Sequence, residues 1–272
     1  MRIPVCISAL FLASFADVSA SAAATLDAAE ADVRSGRPFV VSVVVPLCDN
    51  TQINCGSGIA GRPRGLAHNL YWGAIFGARR FFDRPNSGYE RVEITQSDEV
   101  LERVVYRRWI AGSRWGVGPD VEQLVVLQAI DGARIDDAVK RFWSLATEGG
   151  TLKLDDGGRV REERIHIAGY AGHNRLMDGK TLPPMPDLFA PLPSFVLACY
   201  SEEYFGASLR AAGSAPVVTT KALMAPEGYV IEATVRALGD HEDDRGVRAA
   251  VTAAYAKWQR LPMGTATGMF AR

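Results

Sequence analysis

The chain has 272 residues, 48% hydrophobic and 22% charged, with 30 basic against 31 acidic side chains and a formal net charge of −1. That near-neutral balance argues against a protein that binds nucleic acid or an anionic membrane by bulk electrostatics. The 26 Gly and 14 Pro are too few for a fibrous or low-complexity chain, and no stretch offers the eighteen or more apolar residues of a spanning helix. What is left is one globular domain with an unusual amino terminus.

At that terminus Arg2 precedes an apolar stretch over residues 3–16, and small residues follow, with Ala20, Ala22 and Ala24 at cleavage-site spacing. This pattern predicts a signal peptide over residues 1–24, an exported protein working in the periplasm or outside the cell, and a mature domain over 25–272. Cys6 lies inside the apolar stretch, so it is not placed for lipid attachment. Removal of the signal leaves Cys48, Cys55 and Cys199. Cys48 and Cys55 flank a short polar turn and are expected to form a disulfide in an oxidising compartment. Cys199 is then left over, as a buried inert thiol or one kept free for chemistry.

The elements follow in chain order. FVVSVVVPL over 39–47 is a continuous β-branched run, the signature of a strand covered on both faces. A Gly-rich loop follows, in which Gly56, Gly58 and Gly61 match G-x-G-x-x-G. They stand well past the strand and before Pro63, so a surface loop is expected rather than a dinucleotide site. Apolar spacing predicts a helix over 66–82, strands over 91–95 and 102–109, a strand over 123–130, and an amphipathic helix over 135–147. Short strands are expected at 164–170 and 195–198, a helix at 202–212, a strand at 216–220, and helices at 226–238 and 245–259. Alternating strands and helices without a divisive linker predict a three-layer α/β sandwich with a mostly parallel sheet.

In such sheets ligands bind beyond the carboxyl ends of the strands. The first strand delivers Cys48, Asp49 and Asn50 to that edge, the strand near 164–170 delivers His173 and Asn174, and the strand near 195–198 delivers Cys199. An imidazole beside a thiol can take its proton and later protonate a leaving amine. His166 and His173 are seven residues apart and would face opposite sides of a continuous strand, so they are poor metal co-ligands. His68 is expected to be solvated or structural. The acidic run 240–244 lacks the spacing of an EF-hand and is expected to be solvated before the last helix. There is no G-x-S-x-G, which counts against the common serine-hydrolase elbow.

IHIAGYAGH over 165–173 and FVLACYS over 195–201 resemble the caspase, legumain and gingipain superfamily of cysteine peptidases, in which an apolar strand ends near a His and the next ends Ala-Cys. The resemblance implies a caspase-like α/β domain, His173 as acid/base and Cys199 as nucleophile. It also implies an oxyanion site made by the backbone amides of Cys199 and Asn174, and a peptide or protein substrate. The family's Gly after the histidine is Asn174 here, so Asn174 must reach a backbone geometry that Gly adopts easily, and the caspase Gln-Ala-Cys-Arg-Gly signature is absent. LCDN over 47–50 and NLYWG over 69–73 look like segments of bacterial proteins with no assigned activity. Asp49 and Asn50 are expected to line the substrate pocket. No cofactor, metal or nucleic-acid partner is expected. The competing reading is a non-catalytic exported α/β module that binds a ligand or partner at the same rim.

Overall fold

The computed structural model describes residues 26–187 and 190–271; the expected signal peptide falls outside them. A short helix α1 (Asp27–Arg34) leads into β1 (Phe39–Pro46), all eight residues of which are buried. After a long loop come α2 (Ala78–Phe82), the strands β2 (Glu90–Thr95), β3 (Glu102–Ile110) and β4 (Val121–Ile130), and helix α3 (Ile135–Glu148). A hairpin of β5 (Thr151–Asp156) and β6 (Arg159–Arg164) precedes β7 (Ile167–Ala171) and β8 (Ser194–Leu197). A π-helical turn (Glu202–Gly206), α4 (Ala207–Ala211), β9 (Pro216–Val218), α5 (Gly228–Gly239), α6 (Asp244–Gln259) and α7 (Met263–Thr267) complete the chain.

The main sheet has seven strands in the order β2-β3-β4-β1-β7-β8-β9. The five from β4 to β9 are parallel neighbours, while β3 pairs antiparallel with both β2 and β4. Alternate residues of β1 serve opposite layers. Phe39, Val41, Val43 and Val45 pack with α1, α2, α5 and α6, whereas Val40 and Val44 pack with α3 and α4. Period-two alternation of an apolar run thus buries both faces, and the three-layer sandwich expected from the sequence is the observed architecture.

Several elements differ from expectation for identifiable reasons. Residues 66–77 form turns instead of a helix, and only Ala78–Phe82 is helical. Asn69, fully buried, diverts the backbone: its side chain accepts from the Cys48 and Tyr71 amides at 2.9 and 3.1 Å and donates to the Cys48 and Arg62 carbonyls at 2.8 and 3.0 Å. Gly73 lies against the Leu66 carbonyl so closely that a Cβ would come within 2.1 Å of its oxygen. The strand expected at 164–170 is β7, which starts only at Ile167, because Arg164 is the last residue of β6, paired with β5 in a separate two-stranded sheet. The helix expected at 202–212 opens as a π-turn and becomes α-helical only at Ala207.

The acidic run stands before α6 with Asp243 exposed, while Asp240 and His241 are held against the fold. His241, at φ 59°, lies 4.4 Å from the Trp115 ring, and Asp240 pairs with Arg108 at 2.5 Å. No helix among the described residues is long and apolar enough to cross a membrane.

Candidate functional site

Between β1 and β7 the chain changes direction across the sheet: β4 follows β1 on one side, and β7 follows it on the other. The carboxyl ends of those strands frame the crevice where such sheets bind ligands. At this rim Cys48 and Cys55 are joined in a disulfide with Cα atoms 6.1 Å apart, as the spacing predicts. The side chains of Asp49 and Asn50 build that loop. Asp49 is buried and accepts from the Thr51 amide at 2.9 Å. Asn50 accepts from the Cys55 amide at 3.0 Å, donates to the Ser57 carbonyl at 2.8 Å, and lies over Gly61, where a Cβ would sit 2.2 Å from its side chain.

His173 and Cys199 follow the ends of β7 and β8, which are adjacent and parallel. Gly172 fits between the Pro46 ring and the chain, since a Cβ there would come within 2.6 Å of Pro46. The Tyr170 hydroxyl donates to the His173 carbonyl at 2.8 Å and so pins the histidine turn from below. Asn174 is fully buried: its Nδ2 donates to the Cys199 carbonyl at 2.6 Å, and its Oδ1 accepts from the Leu176 amide at 3.1 Å. One side chain therefore fastens the histidine loop to the cysteine loop. The left-handed backbone geometry anticipated for Asn174 is not adopted, because at φ −83° and ψ 92° it is extended and caps the 3-10 turn that follows.

The cysteine loop is braced from β9. The Thr220 Oγ1 donates to the Ala198 carbonyl and accepts from the Ser201 amide at 3.2 Å, while the Ser201 hydroxyl donates to the Val196 carbonyl at 2.7 Å. Tyr200, directly after the thiol, is held at φ 49°, a left-handed geometry rare for a residue with a side chain. Its amide donates to the Ala222 carbonyl at 3.0 Å. The turn is thus over-determined, as a strained residue requires. The Cys199 thiol is half-buried; it accepts from the Met224 amide at 3.4 Å and donates to the Met224 carbonyl at 3.6 Å. Tyr71, Tyr255 and Glu227 share its surroundings. Burial pushes all three groups up from their ordinary values.

The His173 ring is hydrogen bonded through Nε2 to Asp178 at 2.8 Å, with the side chain 11% exposed. Arg175 reaches the same carboxylate at 3.1 Å. Although burial opposes it, these two partners hold the Asp178 carboxyl below its usual range. No hydrogen bond joins the His173 ring to the Cys199 sulfur among the described residues. The amides of His173, Asn174 and Cys199 donate to no protein acceptor there.

Asp178, Thr220 and Met224 escaped the reading of the sequence. Asp178 stands five residues after His173, a spacing that a 3-10 turn closes but that no periodic pattern announces. His166 takes no part in the site: it sits before β7, accepts from the Val40 amide at Nδ1 (3.0 Å) and contacts Asp32 through Nε2 (3.1 Å). His68 is exposed on the turn-rich loop. No cluster of three or more His, Cys, Asp or Glu side chains among the described residues could hold a metal ion. No family model matches the chain, and no curated protein or solved structure matches it either.

Proposed function

We propose that the protein is an exported cysteine peptidase of caspase-like type, in which Cys199 attacks a peptide carbonyl and His173 moves the proton. The observation that carries this reading is the Asn174 bridge, 2.6 Å from its amide to the Cys199 carbonyl. It locks together the two loops that bear a nucleophile and a base at neighbouring strand ends. Three further features support it: the strained Tyr200 backbone beside the thiol, the undonated amides of His173 and Cys199, and the carboxylate behind the imidazole.

With Nε2 engaged by Asp178, Nδ1 is the nitrogen that takes the thiol proton. The sulfur then forms its bond to the carbonyl carbon, and the undonated backbone amides receive the developing oxyanion. The imidazolium, stabilised by Asp178, passes its proton to the departing amine as the C–N bond breaks. Water then hydrolyses the thioester, with Nδ1 again accepting a proton. Substrate binding has to turn the thiol away from Met224 and the ring toward it, since the two are not hydrogen bonded to each other at rest.

That resting separation favours the second reading, a binding module that keeps the rim without the chemistry. A panel of peptidyl acyloxymethyl ketones with varied P1 residues, applied to reduced folded protein, separates the two. Labelling at Cys199 that is lost in His173→Ala supports the peptidase. Absence of labelling by every probe, with Cys199 shown to be alkylatable, supports the binding module.

A further inference from the structure

Five tyrosines among the described residues are buried, and four of their hydroxyls have partners. Tyr106 donates to Asp83 at 3.0 Å and Tyr170 to the His173 carbonyl at 2.8 Å, while Tyr229 accepts from Gln259 at 2.6 Å and Tyr255 from the Ala225 amide at 3.2 Å. The fifth, Tyr71, is 5% exposed, and its hydroxyl makes no hydrogen bond among the described residues. A buried phenol ordinarily finds a partner, and one left without it costs free energy that phenylalanine would avoid. The oxygen is not sealed in either. The buried side-chain atoms that lack a partner among the described residues are the Tyr89 hydroxyl and the Gln123 Oε1, so the Tyr71 hydroxyl reaches solvent.

The loop that carries Tyr71 is fixed beside the thiol. Its amide donates to Asn69, whose side chain is tied to Cys48 just past β1, and its carbonyl accepts from the Ala78 amide at 2.8 Å. Farther along, the Phe76 carbonyl accepts from the Gly228 amide at 2.6 Å, which joins this loop to the segment 224–228. Met224, at the other end of that segment, holds the Cys199 thiol through its amide and carbonyl. Tyr71, Met224 and Leu197, two residues before Cys199, pack in one layer of the sandwich. Cys199 lies within electrostatic reach of the Tyr71 hydroxyl, and so does the Tyr170 oxygen that holds the His173 turn. The unused donor thus stands beside both the loop bearing the nucleophile and the loop bearing the base. Burial keeps this phenol well above its ordinary value of 10, so it remains an O–H donor wherever a thiolate forms.

We infer that Tyr71 is a catalytic residue of the Cys199 reaction, its hydroxyl donating a hydrogen bond to the oxyanion formed at the scissile carbonyl. The inference rests on the peptidase reading and adds a side-chain donor to the backbone amides. As the sulfur bonds to the carbonyl carbon, the π pair of the C=O bond moves onto oxygen, where the phenol meets it without giving up its proton. The thiol proton has gone to His173, and the pair returns to carbon when the C–N bond breaks.

Tyr71→Phe tests it, with turnover of a panel of peptidyl aminomethylcoumarins of varied P1 residue, alkylation of Cys199 by iodoacetamide, and urea denaturation measured on the same protein. Loss of one oxyanion donor should lower kcat about 100-fold or more, with KM little changed. Iodoacetamide alkylation, which forms no oxyanion, should keep its rate, and the denaturation midpoint should not fall, because the hydroxyl bonds to nothing in the fold. A kcat within about threefold of wild type, far less than one donor contributes, would overturn the inference and leave the peptidase reading standing. Alkylation slowed in step with turnover would overturn it by placing the effect on the thiol, and a lowered midpoint would do so by making the hydroxyl structural. Absence of turnover in the wild type with every substrate would overturn the peptidase reading and this inference together.

Discussion

Truncating Asn174 to Ala removes both of its hydrogen bonds at once. The side chain is fully buried, so the Cys199 carbonyl and the Leu176 amide lose partners in a place where water does not readily replace them. An unsatisfied buried backbone group costs about 1–3 kcal/mol. Two of them, allowing for partial relaxation, place Asn174→Ala at about 2–5 kcal/mol. For a domain of this size each kcal/mol moves the midpoint of thermal unfolding by about 2–4 °C, which corresponds to a fall on the order of 5–15 °C.

Asn174→Asp separates the two bonds. It keeps the acceptor for Leu176 but replaces the donor with an oxygen facing the Cys199 carbonyl, so its loss should be at least half that of Ala. Urea denaturation and calorimetry of the disulfide-intact protein measure both variants. A change below about 0.5 kcal/mol for Asn174→Ala would refute the strut, because surface substitutions fall in that range.

Other perturbations have defined outcomes. Reducing the Cys48–Cys55 bridge frees a loop of seven-residue separation, for which chain entropy gives about 2.5 kcal/mol; the thermal midpoint should fall by several degrees on reduction in wild type and not at all in the Cys48→Ala, Cys55→Ala double variant. Gly169 on β7 lies under the Phe195 ring, and a Cβ there would come within 2.4 Å of it, so Gly169→Ala should cost about 1–3 kcal/mol by overpacking, and an unchanged denaturation midpoint would contradict the geometry.

His166 is pulled below its ordinary value of 6.5 by burial, with Arg164 and Arg37 acting in the same direction against Asp32. Above that value both folded and unfolded chains carry a neutral ring; below it the unfolded chain takes up a proton that the folded site resists, so stability should fall as pH drops below about 6.5. His166→Gln should flatten the fall between pH 6.5 and 5 in urea titrations, and an unaltered slope would exclude His166 as its source.

Some of this was open to reading before any tertiary contact was known. The valine run of β1, the amphipathic repeat of α3 and the alternation of strand with helix are local patterns whose periods match the geometry of their elements, so they announced a sandwich buried on both faces. The Cys48–Cys55 bridge was legible from its short spacing along the chain, and the positions of His173 and Cys199 were legible because each directly follows an apolar strand run. The β5–β6 hairpin was missed although its signal was present, in the two glycines 157 and 158, both at positive φ, between alternating segments.

What the chain could not announce depends on residues far apart in sequence. Asn69 turns an apparently helical stretch into loops because it can satisfy the Cys48 backbone twenty-one positions away. Thr220 braces a cysteine turn that it meets only when β9 has docked beside β8. Asn174 read as a substitute for a glycine's backbone freedom, but its side chain proved to be the link between two loops, since only the parallel pairing of β7 with β8 brings the Cys199 carbonyl within 2.6 Å. Periodicity reports which face of an element is buried; which polar group awaits it there is decided when the layers close.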